Sequence, residues 1–259
     1  MTMPVLFIGH GTPLNAIEDN EYTRYWERLG KEIEERHNPR AILVISAHWE
    51  SEAHFVTGEE KPRQIYDMYG FPRELYELRY DTVTDPLLAG RIYELTGART
   101  DTSWGIDHGS WSVLCRLFPE GDIPVLQLSI NRLATFEAMF AFGELLQPLR
   151  DEGVLIMGSG NVVHNLGTLQ WGETRGYDHC IRFDQTIRDA VIERNLPLLF
   201  HPPLEKDRRL RSFITREHYA PLLYALGATR PGDRVTVFNE SFVMGSLSMT
   251  SYLFSEPSA

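Results

Sequence analysis

The chain has 259 residues, 42% of them hydrophobic and 24% charged, the proportions of an ordinary globular protein. Its formal charge is −11 and it has no basic run, which argues against a nucleic-acid or anionic-membrane partner, because both are held by Lys and Arg against phosphate. No stretch approaches the ~20 apolar residues that cross a bilayer, and the start lacks the charged and apolar regions of a leader, so we expect one domain over residues 1–259, in the cytoplasm.

Residues 5–8 are a short apolar run that stops at Gly9-His10-Gly11. The run is too short for a lone helix and too apolar for a surface strand, and reads as a buried strand of a parallel sheet. Flanking glycines let the backbone turn and leave the imidazole of His10 uncovered. Residues 20–36 predict a helix with Trp26, Leu29 and Ile33 on one face. Residues 41–46 predict a second buried strand, ending at Ala47-His48-Trp49. Residues 54–56 look like a strand, 58–62 a turn, and 71–75 a loop or short helix. Asp85-Pro86 starts a helix that runs to about residue 96, and 100–107 is irregular and aromatic.

Further on, residues 110–118 predict a helix and 124–130 a strand. Residues 135–150 predict a helix broken or bent near Pro148. Residues 154–159 are a third buried strand, which leads through Gly160-Asn161 to His164. Residues 177–195 predict a helix, 197–224 a mostly helical stretch interrupted around Pro202-Pro203, and 234–238 a late strand. Strands alternate with helices, which favours an α/β sandwich with a largely parallel central sheet flanked by helices. Repeats and linkers are not evident.

Chemistry follows from the histidines. Open α/β sheets bind ligands at the carboxyl ends of their strands, and His10, His48 and His164 all follow buried strands. Neutral imidazoles from separate strand ends can converge on one divalent cation. His108 lies in the glycine-flanked, aromatic segment WGIDHGSW, and His218 lies near a helix start in REHYAP. His37, His54, His179 and His201 read as structural or solvated. Of the two cysteines, Cys115 reads as a buried thiol, and the pair gives no disulfide framework. The sequence has no G-x-S-x-G elbow, P-loop, CxxC or HExxH. A histidine-rich site without thiolates suits Fe(II), Zn or Mn.

The segments GHGTPLN, SAHW, WGIDHGSW, SGNVVHNL, EHYAPLLYALGA and MGSLSM occur in that order between about residues 4 and 252. In this the chain resembles the 4,5-DOPA extradiol dioxygenase family of the class III extradiol ring-cleavage superfamily. The resemblance implies His10, His48 and His218 as metal ligands. It implies His164 as a base on the open side of the metal, which also contacts a zinc ion, and His108 as a substrate-facing or supporting histidine. The wider superfamily completes a two-histidine, one-carboxylate triad with Glu, so Glu217 stays open as the third ligand beside His218.

The implied reaction is insertion of both atoms of O2 beside the two hydroxyls of a catechol such as 4,5-DOPA, with non-haem Fe(II) for activity and Zn(II) as a readily bound ion. Trp49, Trp104 and Trp111 would either wall the ring or pack the core. Two other readings remain: a zinc hydrolase, and a non-enzymatic metal-binding adaptor of the same fold.

Overall fold

The computed structural model describes residues 2–257. In chain order the elements are β1 (Val5–Gly9), α1 (Glu21–His37), β2 (Ala41–Ser51), β3 (Phe55–Thr57), α2 (Arg73–Glu77), α3 (Pro86–Thr96), β4 (Arg99–Asp101), α4 (His108–Leu117) and β5 (Val125–Asn131). They continue with α5 (Phe136–Leu145), α6 (Gln147–Asp151), β6 (Val154–Gly160), α7 (Asp178–Ile192), α8 (Leu196–Phe200), α9 (Ala220–Ala228), β7 (Arg234–Phe238), β8 (Phe242–Val243), β9 (Leu247–Ser248) and β10 (Ser251–Ser255).

The three apolar runs that precede His10, His48 and His164 form the centre of an eight-stranded sheet ordered β4-β3-β5-β2-β6-β1-β10-β7. β2, β6 and β1 are adjacent and parallel, so their carboxyl ends share one edge. Their residues alternate between two cores, as the two-residue period of a strand demands. Val5, Phe7, Leu43 and Ile156 face the layer holding α5, α7 and α9. Leu6, Ile8, Val44 and Met157 face the layer holding α1 and α4. The result is the expected α/β sandwich with a mostly parallel sheet between helical layers.

Local chemistry sets the helix ends. Asn20 caps α1 by accepting from the Tyr22 and Thr23 N–H groups, while Thr23 accepts from the Asn20 N–H. Asp85 caps α3, with Pro86 at its first position. The helix expected over 135–150 breaks between α5 and α6, with Pro148 in the first turn of the second piece; proline lacks the N–H that a continuous helix would need there.

Three stretches depart from expectation. Residues 100–107 include part of the edge strand β4, which pairs with β3. Residues 201–219 are largely irregular rather than helical: Pro202 and Pro203 remove donors and restrict the residues before them, and only a single 3-10 turn forms at Arg208–Leu210. Finally, β10 inserts antiparallel between β1 and β7, so the sheet has an antiparallel edge that the alternation of elements did not announce. Both cysteines are free, and burial pushes each thiol up to about 12. No helix among the described residues is long and apolar enough to cross a membrane.

Candidate active site

His10, His48, His108, His164 and His218 line one cavity of about 270 Å³ at the carboxyl edge of the central strands. Each arrives by a different device. His10 follows β1 directly and donates its N–H to the Gly160 carbonyl at 3.0 Å, so it continues the β1–β6 ladder to the last rung. His48 lies inside β2, where the register with β5 shifts between Ile45 and Glu50. Such irregularities re-aim side chains next to functional sites. His108 opens α4, whose cap is Asp107, accepting from the Ser110 N–H.

His164 is held by its backbone, which donates to the Ser212 carbonyl at 2.8 Å and bridges to Phe213 and Leu247. His218 precedes α9, and its carbonyl accepts from the Asn161 N–H at 2.8 Å. A Cβ on Gly160 would collide with that same carbonyl. This close approach explains a glycine at the end of β6.

The ring centroids of His10, His48 and His218 form a nearly equilateral triangle, with sides of 5.2, 5.3 and 5.0 Å. One nitrogen of each ring lies within 4.8 Å of the other two. Which nitrogen faces inward follows from the outer partners. Ser159 Oγ donates to the Gly109 carbonyl at 2.5 Å, so it accepts from His10 Nδ1, 3.0 Å away. Glu217 Oε1 accepts from His218 Nδ1 at 3.0 Å, and Asp67 Oδ2 lies 3.4 Å from His48 Nδ1. Ser159 Oγ and the Glu217 carboxylate accept, so Nδ1 of His10 and of His218 carries the proton and Nε2 keeps the lone pair, and the Asp67 carboxylate beside His48 Nδ1 favours the same tautomer there. Nε2 of His48 and of His218 is buried with no hydrogen-bond partner. Buried polar atoms are normally satisfied, and a cation among the three rings would satisfy these.

Electrostatics agree with metal-competent ligands. Burial, reinforced by the neighbouring histidines, holds His10 and His218 well below the ordinary 6.5. His48 is lowered likewise by burial and His108, with Asp67 opposing. All three are therefore neutral near pH 7, the form that binds metal. Burial and then His108 bring His164 down to about 4. Its ring stacks on His218 with centroids 3.4 Å apart and planes 6° from parallel.

His108 Nδ1 lies 2.9 Å from Asp67 Oδ1, which also accepts its backbone N–H at 3.0 Å. Burial alone would raise the Asp67 carboxyl. The hydrogen bond and charge of His108, together with His48, outweigh that and hold it below the usual carboxylate range. The remaining histidines sit elsewhere. His54 stacks on Phe142 and bonds the Tyr224 hydroxyl at 2.9 Å, and His201 is an exposed partner of Glu137.

Glu217 does not line the cavity, although its carboxylate lies within 4.8 Å of a ring nitrogen of His164 and of His218, and it accepts from the Thr215 hydroxyl at 2.8 Å. The three tryptophans considered as ring walls do not line the cavity. Trp49 stacks on Trp104 at 6.0 Å, and Trp111 donates to the Ile65 carbonyl at 2.8 Å. Tyr69, Phe71 and Trp171 line it instead. Sequence reasoning also missed Asp67 and Ser159. Asp67 lies in an aromatic loop with no motif of its own, while Ser159 was legible only as part of a small-residue strand end.

A family model described as the catalytic LigB subunit of aromatic ring-opening dioxygenase matches residues 4–255. A protein of Escherichia coli K12 named 4,5-DOPA dioxygenase extradiol is 42% identical, over 96% of this chain and 93% of its own length. One of the same name from Beta vulgaris is 33% identical, over 96% of this chain and 95% of its own. The crystal structure of an uncharacterized Escherichia coli K12 protein superposes with a TM-score of 0.83 at 39% identity, covering 97% of this chain and 99% of that one.

Proposed function

This chain belongs to the family of the catalytic LigB subunit of aromatic ring-opening dioxygenases, an oxidoreductase family, and we propose that it cleaves catechols such as 4,5-DOPA in the extradiol manner. The whole of residues 1–259 would act as one catalytic domain, in the cytoplasm. The observation that carries the reading is the set of three imidazoles, His10, His48 and His218, each with one ring nitrogen within 4.8 Å of the other two and with an outer oxygen beside Nδ1, which favours Nε2 as the ligand atom. Those three would hold the metal, Fe(II) in the active protein, with Zn(II) a strong competitor for nitrogen ligands. When bound, Fe(II) supplies Lewis acidity toward the catechol hydroxyls and the electrons that O2 chemistry needs.

The chain's own residues do the rest. His164 is neutral and close beside His218 in the cavity wall. It would take a substrate hydroxyl proton as general base and return it later. His108, its Nδ1 committed to Asp67, would present Nε2 as an acceptor to a substrate hydroxyl. Asp67 would thus orient two histidines at once. The apolar outer wall of the cavity would hold the ring and exclude water.

The test is anaerobic reconstitution with Fe(II), followed by a panel of catechols with oxygen uptake and ultraviolet absorbance recorded together. One O2 consumed per ring opened is expected. Hydrolysis of an ester or amide without oxygen, by zinc-loaded protein, would replace this reading by that of a hydrolase.

A further inference from the structure

We propose that the mouth of the cavity selects catechols whose ring substituent is uncharged and apolar, an alkyl or aryl group, over catechols that carry an amino-acid side chain. The proposal rests on the dioxygenase reading above and narrows its substrate class. The cavity is chemically divided. Its inner end holds the imidazoles and Asp67, where the catechol hydroxyls belong. Its outer end is apolar and built by two loops, with Tyr69 and Phe71 on one, Leu166, Leu169 and Trp171 on the other, and Met244 beside them.

Three of these side chains are held out in water at the rim: Tyr69 is 92% exposed, Trp171 70% and Leu166 61%. Single exposed apolar residues are unremarkable, but several around one opening form a patch of the kind that marks a ligand groove. Trp171 is the one exposed tryptophan of the five in the chain.

Charge points the same way. Among the described residues, no Lys or Arg lines the cavity. Its one carboxylate, Asp67, is engaged by His48 and His108. The other hydrogen-bonding side chains of the outer part, Thr12, Tyr69 and Trp171, are uncharged. An α-carboxylate brought against this wall would lose water without gaining a cation, which is costly. The amino-acid end of DOPA would therefore stay in solvent and forgo the wall, while an alkyl or aryl group would cover it. DOPA remains a substrate under this reading, recognised by its catechol end alone.

The experiment uses the full-length protein loaded with zinc, so that binding is measured without turnover. Catechol, 4-butylcatechol, 4-phenylcatechol and L-DOPA are titrated calorimetrically, and the iron-loaded protein is then assayed for oxygen uptake with each. The butyl and phenyl compounds should bind about tenfold or more tightly than L-DOPA, roughly the effect of removing two methylene groups from water. Their kcat/KM should follow the same order. Trp171→Ala and Tyr69→Ala, both at exposed positions, should cost the apolar compounds at least fivefold more than they cost unsubstituted catechol.

Binding of L-DOPA as tight as that of 4-butylcatechol, or equal losses for all four compounds in the variants, overturns the proposal. The two readings separate cleanly. Binding in the stated order without oxygen uptake removes the dioxygenase and keeps the selectivity. Oxygen uptake at one common kcat/KM does the reverse, and failure of every catechol to bind removes both.

Discussion

Replacing His164 by Gln separates a base from a ligand. The position is held by its backbone, through the bond to the Ser212 carbonyl and the bridges to Phe213 and Leu247, so the substitution leaves the local fold in place. The outer partners of His10, His48 and His218 are Ser159, Asp67 and Glu217, and none of these three pairings is made through the His164 ring. The variant is therefore expected to keep its metal and to bind catechol. A positioned general base contributes roughly 10²–10⁴ in rate, so kcat should fall by that factor, about 3–5 kcal/mol of barrier.

The pH profile supplies an independent sign. Burial has lowered this histidine from 6.5 to about 4. It is protonated, and lost as a base, only as pH falls through the lower value. The acidic limb of the wild-type profile should thus lie well below that of a free imidazole and vanish in the variant. Iron content per chain, read beside kcat, is the assay. Loss of iron in step with activity would refute the base role, and full iron with unchanged kcat would refute any role.

Other outcomes follow from the same geometry. Asp67→Asn should lower metal affinity by about tenfold, the low end of the 10–100-fold effect of such outer partners, because its oxygen is a long 3.4 Å from His48 Nδ1. Competition with a chelator measures it, and unchanged affinity together with unchanged kcat would contradict the orienting role. Gly109→Ala replaces the poorer helix former by the better one in α4. Its Cβ would nevertheless sit 2.7 Å from His48 Cδ2, so metal affinity should fall; a variant that gains stability and keeps full affinity would show the contact to be harmless.

Acid stability can be tested away from the metal at His54, which burial lowers from 6.5 to about 4. Unfolded chains take up its proton first as pH falls. Its contribution is therefore complete above 6.5 and lost towards 4, by up to roughly 3 kcal/mol at about 1.4 per unit. Chelator-treated wild type should lose Tm across that window more steeply than His54→Gln, and parallel curves would contradict this.

The centre of the molecule was readable because β1, β2 and β6 are short, continuously apolar and closed by small residues and a histidine. Burial on both faces leaves few alternatives for such runs. What depends on distant partners was not readable. β10 exists as a strand because β1 and β7 flank it, and residues 251–255 carry only weak alternation of their own. The stretch 201–219 contains helix-forming residues, yet its prolines and its contacts with His164 leave it irregular. Asp67 meets His108 across 41 residues of sequence, and nothing local marks it. The tryptophans show the limit of residue type as a guide: Trp49, Trp104 and Trp111, inside the histidine motifs, do not line the cavity, while Trp171, just beyond one, stands at its mouth.

The most direct test of the whole account is metal content per chain in His10→Ala, His48→Ala and His218→Ala, measured by mass spectrometry after reconstitution with Fe(II) or Zn(II). The exposed His201→Ala, 78% open at its side chain, serves as control. One metal per chain is expected in the wild type and in the control, and far less than one in each of the three. Full metal in His218→Ala, with loss in Glu217→Ala, would move the third ligand to the carboxylate and contradict the arrangement of three inward-facing Nε2 atoms.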